Sequence, residues 1–217
     1  MTVAQDAGEA PSTHRRRPRG AVREGLIAAG FELARTGGPD AVVLREATRI
    51  VGVVPNAAYR HFANRDELLA AVCTAAMDEL GARMAATTAL VRGKRGNPSA
   101  ARRRLRAIGT AYLQFARDEP GLFTTAYAVP EEHAYGASEC AGEADDSPLG
   151  QLRDVLDELV EAGALDPQRR IDIEYPVWSA VHGTAVLAGQ GPLRNLSVDN
   201  LRHLEVLTLD FIGDGLS

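Results

Sequence analysis

Cysteine is nearly absent: Cys73 and Cys140 are the only two in 217 residues, and neither has a C-x-x-C partner. That offers neither a disulfide framework nor a zinc site, so both are expected to be free thiols in a reducing compartment. Aromatics are sparse at 5%, and proline gathers at a few punctuation points. No apolar stretch approaches the ~18 to 20 residues that cross a bilayer, and the N-terminus carries charge and proline where a signal peptide has an apolar segment. A cytoplasmic protein with no membrane partner is the expectation. No convincing strand pattern and no internal repeat occurs. His61, His133 and His182 come with no nucleophile, no metal-spaced ligand set and no Gly-rich phosphate loop. An enzyme is therefore not expected, nor a metal or cofactor.

What is present is an ordinary globular balance, 45% hydrophobic and 24% charged, in a chain long enough to bury a real core. The net charge of -5 is unevenly placed. From Thr13 to Arg65 ten arginines face four acids, giving +6 and leaving -11 for the remainder. A cationic N-terminal quarter on an acidic body points to a polyanion held by one end; a solvated charge run in a tail is the blander reading.

The periodicity predicts helices throughout. Residues 1–19 are polar, contain Pro11 and Pro18, and are expected to form a flexible arm. Apolar residues at helical spacing run from Ala21 to Thr36 and stop at Gly37-Gly38-Pro39. Two short helices follow, Leu44 to Val51, broken by Gly52, and Pro55 to about His61. Asn64 then reads as the N-cap of a fourth helix with the stripe Leu69, Val72, Cys73, Ala76, Met77, Leu80 and Met84. A fifth carries Leu105, Ile108, Tyr112 and Phe115, and a short sixth Leu122, Phe123 and Tyr127. Pro130 to Ser147 reads as a surface loop. The seventh carries Leu149 to Val160; the eighth is clearest from Pro176 to Ala188, with a kink at Pro176 if it starts earlier. The ninth runs from about Val198 to Ile212 with Leu201, Leu204, Leu207, Thr208 and Phe211 as its stripe.

Two short crossed helices with glycine in the turn form a helix-turn-helix pattern, whose second helix enters the major groove. The run Val42-Val43-Leu44-Arg45-Glu46-Ala47, then Gly52 to Phe62 ending in Tyr59-Arg60-His61-Phe62, then Arg65-Asp66-Glu67-Leu68-Leu69, resembles the N-terminal domain of TetR-type regulators. The resemblance covers Ala21 to Leu69. It implies an all-α fold of about nine helices: an N-terminal three-helix bundle with a homeodomain-like helix-turn-helix over residues 20–66, and a larger ligand-binding and dimerisation domain over 67–217. DNA contacts are expected from Arg45, Val54, Pro55, Asn56, Ala57, Tyr59, Arg60, His61 and Arg65. Tyr59, His61 and Arg65 suit phosphate oxygens, and Asn56, Ala57 and Arg45 suit base edges. Against this, Tyr59 can pack on the first helix, His61 can be an exposed helix-end histidine, and Phe62 reads as core. Val43 and Val54 stand where such domains often carry Ser or Thr, and each removes a cap worth ~1 kcal/mol. Arg15 to Arg19 form either a minor-groove arm or a simple tail.

The body resembles a TetR C-terminal type marked by Trp178-Ser179-Ala180-Val181-His182-Gly183, preceded by Tyr112-Leu113-Gln114-Phe115-Ala116-Arg117 and Pro120-Gly121-Leu122-Phe123. Trp178 and His182 share one helix face, and Gly183 is expected to admit a tight helix contact. On this resemblance Tyr112, Phe115, Phe123, Tyr127, Trp178 and His182 line a mostly apolar effector cavity; the plain alternative for each is an ordinary core. The last two helices are expected to pair with their copies in a homodimer. The implied function is a ligand-responsive repressor that binds a palindromic double-stranded DNA operator and is released by a small, largely apolar effector. A helical adaptor or sensor that never touches DNA is the alternative.

Overall fold

A computed structural model describes residues 19–128 and 145–216. Among the described residues there are nine α-helices and no strand. Helix α1 (Arg19–Gly37) leads through one 3-10 turn, Pro39–Ala41, to α2 (Leu44–Val51) and α3 (Pro55–Ala58). Gly52 makes the turn between them at φ 73°, a left-handed conformation that other residues adopt only at a cost of ~1–2 kcal/mol. Helices of two turns and one turn have no stability of their own. They are held by burial: Leu44, Ala47 and Ala58 pack with Leu26 and Ala29 of α1, and Phe62 closes the junction with the next helix.

That helix, α4 (Arg65–Ala89), is about 37 Å long at 1.5 Å per residue and belongs to both halves of the molecule. Its start is fixed by a reciprocal cap, in which Asn64 accepts from the Glu67 amide (2.9 Å) and the Glu67 carboxylate accepts from the Ala63 amide (2.7 Å). Leu68 and Val72 join the head's core; Leu80 and Met84 join the core of the body. The body adds α5 (Pro98–Asp118), α6 (Pro120–Ala126), α7 (Pro148–Glu161), α8 (Glu174–Gly189) and α9 (Val198–Gly215). Helices α5, α6 and α7 pack on α4, and α8 and α9 pack on α5. Asn97, Ser147 and Ser197 cap α5, α7 and α9 with their side chains.

Head and body meet a second time where the end of α1 lies over the start of α6. Glu119, largely buried, is shared by Arg35 of α1 (3.2 Å) and Arg83 of α4 (3.0 Å). Gly121 lies so close beneath α1 that a Cβ there would press into the carbonyl oxygens of Ala34 and Arg35.

Several boundaries differ from the sequence reading. Arg19, expected in the arm, begins α1; residues 1–18 and most of the expected 130–147 loop lie outside the described residues. Helix α3 ends at Ala58, and residues 59–61 continue as an irregular turn whose amides reach Pro55 and Ala58 carbonyls. Pro176 causes no break, because α8 starts at Glu174 and first-turn residues need no intrahelical amide partner. The α9 stripe named from the sequence is not its inner face. Leu209, Ile212 and Leu216 turn inward, while Leu207 and Phe211 are exposed. Gly183 admits no close contact within the protomer, since nothing lies within 4 Å of where its Cβ would stand. Cys73 is free and buried, its thiol pushed up to about 11 by burial, while Cys140 lies outside the described residues. No helix among the described residues is long and apolar enough to cross a membrane.

The α1–α6 contact gives a test. Gly121→Ala should lower stability by about 1–3 kcal/mol, because the neighbours it would displace are backbone rather than flexible side chains. Thermal and denaturant unfolding check it; an unchanged midpoint would show that α6 shifts freely under α1.

Candidate nucleic-acid interface and effector cavity

The α3 segment turns outward. Val54 is 69% exposed and Tyr59 58%, so Tyr59 does not pack on α1. Pro55, Asn56 and Arg60 are also exposed, as is Arg45 on α2, whereas Ala57 and His61 are half-buried. Val43 and Val54 occupy the N-cap positions of α2 and α3 and supply no side-chain cap. This leaves the first-turn amides of both helices without a side-chain acceptor.

Arg65 is engaged otherwise than its sequence position implies. Its Nε donates to the Val42 carbonyl (3.0 Å) and a terminal nitrogen donates to the Pro39 carbonyl (2.7 Å). These carbonyls belong to the 3-10 turn and its exit, so the guanidinium braces the start of α4 against the segment that leads into α2. Arg23 of α1, not singled out from sequence, lies over the Phe62 ring (5.4 Å) and is exposed beside the α3–α4 turn. Its spacing from the motif carries no signal, because only the packing of α1 on Phe62 brings it there. The Arg15 to Pro18 part of the arm lies outside the described residues.

In the body, five of the six expected aromatic and histidine residues come together. The Tyr112 hydroxyl is their centre: it accepts from Trp178 Nε1 (3.3 Å) and bonds the Tyr127 hydroxyl (2.7 Å) and His182 Nδ1 (2.8 Å). One arrangement accommodates all three bonds. Tyr127 and Trp178 donate to Tyr112, and Tyr112 donates to an unprotonated Nδ1 of His182. Phe123 stands edge-on to Tyr112 (5.7 Å) and Tyr127 (5.3 Å). Burial, followed by the neighbouring Tyr127, pushes the Tyr112 ionisation far up, and burial pushes His182 down from 6.5. Phe115 is not a member. It is wholly buried beneath the Arg83 guanidinium (5.1 Å), as plain core.

A cavity of about 330 Å³ lies in front of this network, between α5, α7, α8 and α9. Of the six expected lining residues only Tyr112 and Trp178 reach it; Phe123, Tyr127 and His182 stand behind them, and Phe115 is elsewhere. The apolar walls come from residues the sequence reading did not assign to a site: Ile108 and Gly109 of α5, Leu152 and Leu159 of α7, Val181 of α8, and Leu209 and Ile212 of α9. Gly109 sits against Leu209 with no room for a Cβ. The inner stripe of α9, at i, i+3 and i+7, was the available signal, but its neighbour stripe is equally apolar. A wider hollow of about 820 Å³ between α4, α5 and α7 is rimmed by charges that pair with one another, Arg95 with Asp154 and Arg104 with Glu158.

The sequence matches two family models. The one described as bacterial regulatory proteins, tetR family, covers residues 26–72, and the one described as Tetracyclin repressor-like, C-terminal domain, covers residues 105–211. No curated protein sequence matches the chain. Among solved structures, a Rhodococcus sp. RHA1 protein of unknown function is 24% identical with a TM-score of 0.71, over 95% of this chain and 99% of its own. A TetR variant from Acinetobacter baumannii AYE in complex with minocycline is 19% identical with a TM-score of 0.59, over 88% of this chain and 93% of its own. The transcriptional regulator FadR from Bacillus subtilis, in complex with stearoyl-CoA, is 13% identical with a TM-score of 0.56, over 89% and 99%. These likenesses establish a shared fold.

An outward-facing helix-turn-helix carried on a hollow helical body is the build of a DNA-binding bacterial regulatory protein. The chain belongs to the TetR family of bacterial regulatory proteins.

The network around Tyr112 has a consequence for pH. Because the folded pKa of His182 lies below its ordinary value, stability is full above about pH 6.5 and falls as the pH drops through the folded value. A melting series from about pH 7 to about pH 5 should show this loss, and His182→Gln should flatten it. An identical slope in both proteins would place the responsible group elsewhere.

Proposed function

We propose that the protein is a repressor acting in the cytoplasm as a homodimer, with two copies of α3 reading a roughly palindromic operator and a small, largely apolar effector releasing it. The observation that carries this reading is the outward exposure of Val54, Asn56, Tyr59 and Arg60 on a head that shares α4 with the cavity-bearing body. In this reading residues 20–66 read DNA and residues 67–217 sense and dimerise. Asn56, Ala57, Val54 and Arg45 meet base edges, and Tyr59, Arg60 and His61 meet phosphates. Pro55 sets the entry of α3, and Arg65 holds the start of α4 against the segment that leads into α2.

Dimerisation through α8 and α9 is supported by their unpartnered apolar surface. Phe211 is 73% exposed, and Tyr175, Leu187, Val206 and Leu207 are exposed too. Set against a copy of itself, such a surface forms a four-helix interface in which the open space at Gly183 admits the partner. The two readers would then lie about 34–36 Å apart, or a multiple of that. An effector that binds better when the heads are spread weakens DNA binding by that difference in affinity. Minocycline and stearoyl-CoA in related folds support a body that encloses molecules of very different size. The work is binding and release, without turnover.

The test uses duplexes from the protein's own promoter region. Tyr59→Phe should weaken all duplexes alike, by roughly 1 kcal/mol for one lost hydrogen bond, and leave the salt dependence unchanged because the hydroxyl carries no charge. Asn56→Ala should instead change which duplex is preferred. If neither substitution alters binding, α3 is not the reader.

A further inference from the structure

We infer that the effector is a single-chain amphiphile with an anionic head, its chain lying along α5 and its head against Arg102. The inference rests on the reading of the α5–α9 cavity as the effector site. The shape comes first. Along α5 the lining runs from Arg102 to Tyr112, about 15 Å at 1.5 Å per residue. A volume of about 330 Å³ drawn out over that length suits an extended chain better than a compact molecule.

The two ends of this channel differ in chemistry. At the Tyr112 end the polar side chains are bonded to one another: the Trp178 indole, the Tyr127 hydroxyl and His182 Nδ1 all converge on one hydroxyl. A ligand's polar group placed there would break a satisfied network and recover little, so this end takes hydrocarbon. Between the ends, Ile108, Val181, Leu209 and Ile212 offer only apolar surface. At the other end the lining becomes exposed and charged, with Arg102, Arg103 and Arg106 on α5 facing Asp210 and Asp214 on α9.

Charge decides the head. Arg106 is paired with Asp210 (2.5 Å), whereas Arg103 donates only to the neutral Arg92 carbonyl (2.9 Å) and keeps its charge unanswered by a carboxylate. Arg102 has no ion-pair partner among the described residues. Asp214 is the remaining acid on this rim. The rim thus holds an excess of guanidinium, and a planar carboxylate is the group that guanidinium recognises best.

Trp178, the only tryptophan, lines the channel, so its fluorescence in the full-length protein reports occupancy without DNA. The probes are decanoate, decanol and decylammonium below their micellar concentrations, which share a chain and differ in head charge. Decanoate should bind at least about tenfold more tightly than either of the others, as expected for a charge-assisted bond. Arg102→Ala should remove that preference and leave decanol affinity as it was, and Arg102→Lys should restore part of it. Decanol or decylammonium binding as tightly as decanoate, or decanoate affinity untouched in Arg102→Ala, overturns the anionic head. The cavity is tested separately by Val181→Phe, checked for folding by its melting curve. Decanoate binding that persists unchanged in this filled variant overturns the cavity reading itself.

Discussion

The architecture depends on one constraint: neither α2 nor α3 can exist without something to lie on, and what they lie on is α1 and the first turns of α4. Ala58 and Phe62 are the contact points, and both are essentially removed from water. Because α4 then continues without interruption into the body, where Leu80 and Met84 are equally buried, the reading surface and the cavity belong to a single apolar core. A displacement anywhere along α4 is felt at both ends, since packed interiors transmit strain rather than absorb it. The second bridge, Arg35 and Arg83 sharing Glu119, ties α1 and α4 to the start of α6 and so limits the ways in which the head can tilt.

Much of this was legible in the chain. The helical spacing of Leu26 to Ala34, the stop at Gly37-Gly38-Pro39, the left-handed Gly52 and the Asn64 cap each rest on local physics that nothing distant overrides. The Tyr59-Arg60-His61-Phe62 ending pointed to the head through its resemblance to TetR-type domains, and its two ends behave differently, Tyr59 exposed and Phe62 buried. The body was less legible. Tyr112, Trp178 and His182 were expected to meet, and they do, but which of them faces empty space depends on how α5, α7, α8 and α9 cross, and no local pattern encodes crossing. The backbone contacts of Arg65 were not legible for a related reason. A guanidinium's sequence neighbours reveal its charge, but the carbonyls it finds, at Pro39 and Val42, lie more than twenty positions away.

Helix α9 is apolar on two sides. Leu207 and Phe211 form as regular a stripe as Leu209, Ile212 and Leu216, and periodicity alone does not say which stripe faces the protein's own core. The fit of Leu209 against Gly109, with the Thr184–Thr208 and Arg117–Glu205 contacts, fixes the register. A helix that is apolar on both sides is unusual for a lone soluble domain and fits an element shared by two neighbours.

In the proposed assembly α9 therefore separates two equilibria that cannot be independent. With the effector on one side of the rod and the sister subunit on the other, whatever the first does to the grip of the second is returned in equal measure. Dilution to single subunits would then retune the affinity for the small molecule, and the number of copies in a cell would help set the concentration at which the operator is vacated.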